Sequence, residues 1–216
     1  EQEALAFYYP DRGNNDYQLR ITDKNGQFIK ELLPVDPKSK VLHGLGQNFY
    51  VYDGKLNVFP HFSNTIFSIT PDSTTQRYHF YFGDYHFPDD EIFQKKEYNS
   101  QAIMSEIMNN SYVRLMAPYE TDEHLLVKYY VKRQVLLGIY NKKKHTAINL
   151  DPEMVIDSLH LGTFPVPIGF NHNEFIGQLT LDIQQKNRIM IPELQKLMAD
   201  YSEDSNPILI FYSLRS

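Results

Sequence analysis

At 216 residues, with 42% hydrophobic and 14% aromatic residues, the chain can bury a sizeable core as one large all-β domain or two small ones, which excludes wholesale disorder. A net charge of −6 offers no general electrostatic case for nucleic acid, and the lack of cysteine excludes disulfides, thiol catalysis and thiolate metal sites. No stretch is long and apolar enough to span a membrane.

The 16 Tyr and 14 Phe, with no Trp, favour pleated, half-buried surfaces, hence strands. Ala4 to Tyr9 is an aromatic-rich run stopped by Pro10 and a polar loop. Tyr17 to Thr22 alternates at period two, Asn25-Gly26 turns the chain, and Gln27 to Leu33 returns as a partner strand. A further strand, Asn48 to Tyr52, ends at Asp53-Gly54, the strongest hairpin signal present, and closes a first module over 4–52.

A second module is expected over 55–116. Leu56 to Phe59, Ile66 to Ile69 and Tyr78 to Phe82 supply three strands, with Pro71-Asp72-Ser73 as turn chemistry. Asp89 to Asn110 reads as a helical insertion, with Ile103, Ile107 and Met108 in its apolar stripe, and Tyr112 to Met116 as the outer strand. Leu125 to Val131, Gln134 to Tyr140 and His145 to Leu150 form a third module over 124–164, with Leu159 to Phe164 at its edge. A partial module over 170–214 contains a strand from Phe175 to Ile183, a short helix from Pro192 to Tyr201 and the apolar strand Pro207 to Leu214.

Four-stranded meanders in series suggest an all-β β-propeller with short helical insertions, since one blade cannot bury its own faces. Three modules and a fragment are too few to close a ring. The expectation is therefore a single propeller domain over 1–216, the C-terminal portion of a larger ring, incomplete at the N-terminus. Missing N-terminal blades or a second copy would complete it. Because the chain starts at Glu1 rather than Met, an upstream segment is expected to have been removed, with any signal peptide or lipid anchor. A two-sheet β-sandwich uses the same strand patterns and is the alternative.

The order YQLRITDKNGQFIKELLP, then FYVYDGKLNVFPHFSNTIFSIT with RYHFYFG, and the ending NPILIFYSL resembles six-bladed β-propeller proteins of Bacteroidetes. The resemblance implies a propeller fold and an exported protein, in the periplasm or at the cell surface, often lipid-anchored, whose function is largely unassigned. It implies no catalytic residues to carry over.

Among the 8 histidines, no HxH, HExxH or HxxxH spacing supports a metal site, although His61, His124 and His172 each fall near the end of an inner-type strand. The GxSxG elbow and the DxDxDG calcium loop are absent, and Gly44-Leu45-Gly46 is not placed to open a helix. No catalytic residue, metal or cofactor is therefore assigned. Lys142-Lys143-Lys144 reads as a solvated hairpin turn, and Glu120-Thr121-Asp122-Glu123 as a turn between strands. Tyr8, Arg12, His61, Lys128, Tyr130 and His172 are the expected mouth-lining set, because Tyr beside Arg or His suits carbohydrate or peptide. The functional expectation is a non-catalytic binding or scaffold module of the cell envelope, recognising a glycan, a peptide or an envelope protein. A polysaccharide lyase or hydrolase acting at the channel mouth is the alternative.

Overall fold

The computed structural model describes residues 4–8, 16–34, 48–60, 63–88, 92, 100–132, 134–152, 164–179, 192, 196 and 207–214. Its strands form four antiparallel meanders taken in chain order. The first sheet joins β1 (Ala4–Tyr8), β2 (Tyr17–Asp23) and β3 (Phe28–Pro34); the second joins β4 (Phe49–Tyr52), β5 (Lys55–Val58), β6 (Thr65–Ile69) and β7 (Thr74–His79). The third contains β8 (Val113–Glu120), β9 (His124–Val131), β10 (Gln134–Asn141) and β11 (Thr146–Leu150), and the fourth β12 (Pro167–Phe170), β13 (Phe175–Leu179) and β14 (Ile208–Tyr212). One helix, α1 (Ser100–Asn109), is named among the described residues and buries Ile103 and Ile107.

The fold is all-β, as expected, but two strands change sheets. Asn48 to Tyr52 was expected to close the first module; instead β4 pairs with β5 in register Phe49↔Val58 to Tyr52↔Lys55. Asp53 and Gly54 hold φ of 50° and 66°, the left-handed pair of a two-residue hairpin whose twist matches the strands it joins. That turn obliges β4 and β5 to be neighbours. With β7 at the other edge, the second sheet has four strands without Tyr112 to Met116. Val113–Glu120 is accordingly β8 of the third sheet, not the outer strand of the second.

Smaller shifts follow. The strand expected over Tyr78 to Phe82 runs Thr74–His79, and β12 was not anticipated at all. Residues 89–91 and 93–99 of the helical insertion, 159–163 of the expected edge strand, 180–183 of the Phe175 strand, and most of the helix over 192–201 lie outside the described residues. Met108, placed in the insertion's apolar stripe, is half-buried.

The chain divides into two compact units, Glu1–Ala117 with Tyr130–Gln134, and Pro118–Tyr129 with Val135–Ser216. In the first, buried Leu19, Ile21 and Leu32 pack with Phe49 of β4 and Ile69 of β6, so the first sheet lays its apolar face on the second. In the second unit, Leu126 of β9 and Leu137 of β10 pack with Phe175 of β13, and Phe170 and Tyr212 extend the cluster. Sequence-adjacent sheets thus bury their faces against each other in both units. Each fully buried Leu or Phe contributes roughly 1.5–3 kcal/mol relative to exposure.

The Tyr212 hydroxyl donates to the Pro165 carbonyl at 2.7 Å. Burial, reinforced by the nearby Tyr119, pushes its pKa well above the usual tyrosine value. This hydrogen bond ties β14 to the segment entering β12.

Candidate functional site: the turns of the second unit

Three hairpin turns of the second unit meet through main-chain hydrogen bonds. Between β8 and β9, Thr121 closes the turn in both directions: its amide donates to the His124 carbonyl at 2.8 Å, and its Oγ1 accepts from the His124 amide at 3.1 Å. Between β10 and β11, the Lys144 amide donates to Asn141 Oδ1 at 2.8 Å. Between β12 and β13, Asn171 Oδ1 accepts from the amides of Asn173 at 2.9 Å and Glu174 at 2.8 Å, the way an Asx side chain stands in for backbone. The Lys142 amide then donates to the Glu123 carbonyl at 2.9 Å, and the Asp122 amide to the His172 carbonyl at 2.8 Å. The central turn is bonded to both its neighbours.

Beneath it lies a buried charge pair. Glu120 is 0% exposed and Lys142 Nζ lies 2.7 Å from its Oε1. Lys142 Nζ also donates to the Thr121 carbonyl at 2.6 Å. Glu120 reaches the interior because it continues the inward period of Met116 and Pro118 along β8.

His124 opens β9 and is 4% exposed. The Asn141 amide nitrogen lies 3.1 Å from its Nε2. Since Asn141 Oδ1 is committed to the Lys144 amide, the side presented to His124 is the NH2, a donor. Nε2 must therefore accept, which places the imidazole proton on Nδ1. A second proton on Nε2 would oppose the amide hydrogens. Burial independently lowers the His124 pKa; Glu123 pulls the other way and Lys142 adds to the lowering. No group among the described residues accepts from Nδ1.

His124 lies in the wall between two clefts. One, of about 390 Å³, is lined by Asp122, Glu123, His124, Asn173, Ser213 and Leu214, with Thr121 beneath. The other, of about 260 Å³, joins His124 and Leu214 to Ile139, Ile148, Asn141, Lys144 and Thr146. The first is acidic and polar; the second has an aliphatic wall with one cation at its rim. The arrangement can bind and orient a ligand through a fixed donor. The His124 ring itself is poorly placed to remove a proton, because its one acceptor nitrogen is occupied.

The six residues expected to line a mouth lie in different places. The side chain of Tyr8, and Arg12 and His61 entirely, lie outside the described residues. Lys128 Nζ sits 5.9 Å from the centre of the Tyr119 ring, and Tyr130 is half-buried; neither lines these clefts. His172 is exposed and meets the central turn through its carbonyl, as described above. Among the described residues no three His, Asp or Glu side chains could hold a metal ion together. Lys142, expected in a solvated turn, is instead tied to a buried carboxylate. The period-two position of Glu120 carried a signal for this; the partnership with Lys142, 22 residues away, did not.

Comparison with known proteins agrees with the fold. Over its whole length the chain matches, with a TM-score of 0.84 and 18% identity, the crystal structure of a "putative exported protein" from Bacteroides fragilis NCTC 9343. It spans 64% of that protein's chain. No helix among the described residues is long and apolar enough to cross a membrane. No curated protein matches the chain. Residues 2–213 match the family model described as "Domain of unknown function (DUF4934)". The chain belongs to the DUF4934 family.

Proposed function

We propose that this chain is part of an exported β-propeller of the bacterial cell envelope that binds a ligand, without catalysis, at the joined turns of its second unit. Propeller architecture is supported by four sheets whose strands each follow chain order as a meander, with the two sheet faces of each unit packed together. The strands of a sandwich would be expected to cross between sheets by Greek-key connections. Export is supported by the fold shared with the Bacteroides fragilis protein.

The observation that carries the binding reading is the state of His124. Its Nε2 is held as an acceptor by Asn141, so the ring offers one N–H donor at the boundary of two clefts and no base. Calorimetric titration of the whole protein with envelope-type peptides and oligosaccharides should give saturable binding, with every ligand recovered unchanged. Ligand cleavage that disappears in His124→Gln would contradict the reading and favour a lyase or hydrolase.

A further inference from the structure

The two clefts differ in chemistry, and the difference narrows the ligand class. The following rests on the binding reading above. Glu123 is exposed at the acidic cleft, and no side-chain hydrogen bond or ion pair engages its carboxylate among the described residues. Lys142, the cation close beneath, is already neutralised by Glu120. The Glu123 carboxylate therefore offers negative charge with no paired cation among the described residues, and His124, itself more than nine-tenths buried, adds at the wall a ring N–H with no acceptor among them.

The neighbouring cleft carries Ile139, Ile148 and Leu214, with Ile148 59% exposed. No Tyr or Phe among the described residues lines either cleft. A sugar ring normally rests its C–H face on an aromatic plane; the apolar surface the described residues offer here is branched aliphatic. Lys144 at the rim of the aliphatic cleft repels a second cation and so fixes which cleft receives a basic group.

We infer that the paired clefts bind an extended peptide segment carrying a basic and an aliphatic side chain two positions apart, the basic one beside Glu123 and the aliphatic one against Ile148 and Leu214. Side chains two apart share one face of an extended strand, which matches two clefts sharing one wall. The His124 Nδ1–H then meets a main-chain carbonyl between them. Charge complementarity selects the occupant, and apolar burial supplies affinity.

The test uses fluorescein-labelled hexapeptides, acetylated or amidated at free ends, with central Arg-Gly-Ile or Ile-Gly-Arg, against controls with Glu-Gly-Ile or Arg-Gly-Ser. Cellotetraose and chitotetraose serve as sugar probes on the same full chain. An Arg/Ile peptide should saturate most tightly and weaken with salt. Glu123→Gln and Ile148→Ser should each weaken it about fivefold, the equivalent of roughly 1 kcal/mol. Both substituted side chains are exposed, so folding is spared. Glu123→Lys should turn the preference toward the Glu-Gly-Ile peptide. Peptide binding indifferent to all three substitutions overturns the inference, since the contact lies elsewhere, yet leaves a binding protein. Saturation by a tetrasaccharide with no peptide bound overturns the peptide class alone. Silence from every probe overturns the inference and removes the support for binding at these turns.

Discussion

The two units contain ion pairs of identical length and different consequence. In the first, Arg20 Nη2 lies 2.7 Å from Glu31 Oε1 across β2 and β3, with side chains 41% and 32% exposed. In the second, Lys142 and Glu120 are also 2.7 Å apart, but exposed by 19% and 0%. The exposed pair trades water for a partner and gains little. In the second pair Glu120 has no water to return to, so losing the lysine beside it is costly. Burial, not distance, decides what each pair contributes. The turns differ in the same sense. Asp53-Gly54 in the first unit is shaped by backbone conformation, whereas the 121–124 turn in the second is held by polar groups.

Removing one buried charge should break the comparison most visibly. Lys142→Met takes the lysine away from fully buried Glu120 and should cost about 3 kcal/mol, read as a lower denaturant midpoint. Adding Glu120→Leu should restore most of that loss, because no charge is then left buried. Next comes pH. His124 is held neutral in the folded chain with its pKa below the ordinary histidine value. The unfolded chain therefore binds the extra proton first, and stability should fall as pH drops below about 6.5. Comparing the unfolding free energy at several pH values with that of His124→Gln isolates this contribution; identical pH profiles would contradict it.

In the first unit the largest single effect should come from the turn. Gly54→Ala forces a Cβ into φ 66° and should cost about 1 kcal/mol. Nothing lies within 4 Å of the added carbon, so the loss reports backbone strain alone. Arg20→Gln should cost only about 0.5 kcal/mol, and less in high salt. A loss from Arg20→Gln equal to that from Lys142→Met would erase the contrast.

Local chemistry in the sequence went far with strands and stopped at partnerships. Leu125 to Val131 and Gln134 to Tyr140 were legible because their apolar runs are bounded by turn residues. β12 was not: Pro-Ile-Gly-Phe has no alternation, and Pro and Gly both argue against a strand. Asp53-Gly54 was recognised as a hairpin, yet the strand before it was credited to the preceding sheet, a choice the hairpin itself forbids.

The candidate site was less legible. His124 and His172 stood out by position, but the bond from Asn141 to His124 spans 17 residues and depends on how β9 and β10 pair. Lys142 looked like one of three solvated lysines, because only the fold reveals which of them faces Glu120. Charge and periodicity along one strand cannot report a partner on another.

The central claim, that His124 is fixed as a neutral Nδ1–H donor between two clefts, has a direct test. Imidazole 15N chemical shifts of His124, followed by NMR from pH 8 to pH 5, should show the Nδ1–H tautomer and a midpoint below about 6.5. The same resonance should move when the Arg-Gly-Ile peptide is added. An Nε2–H tautomer, or titration at or above the ordinary histidine value, would contradict the account.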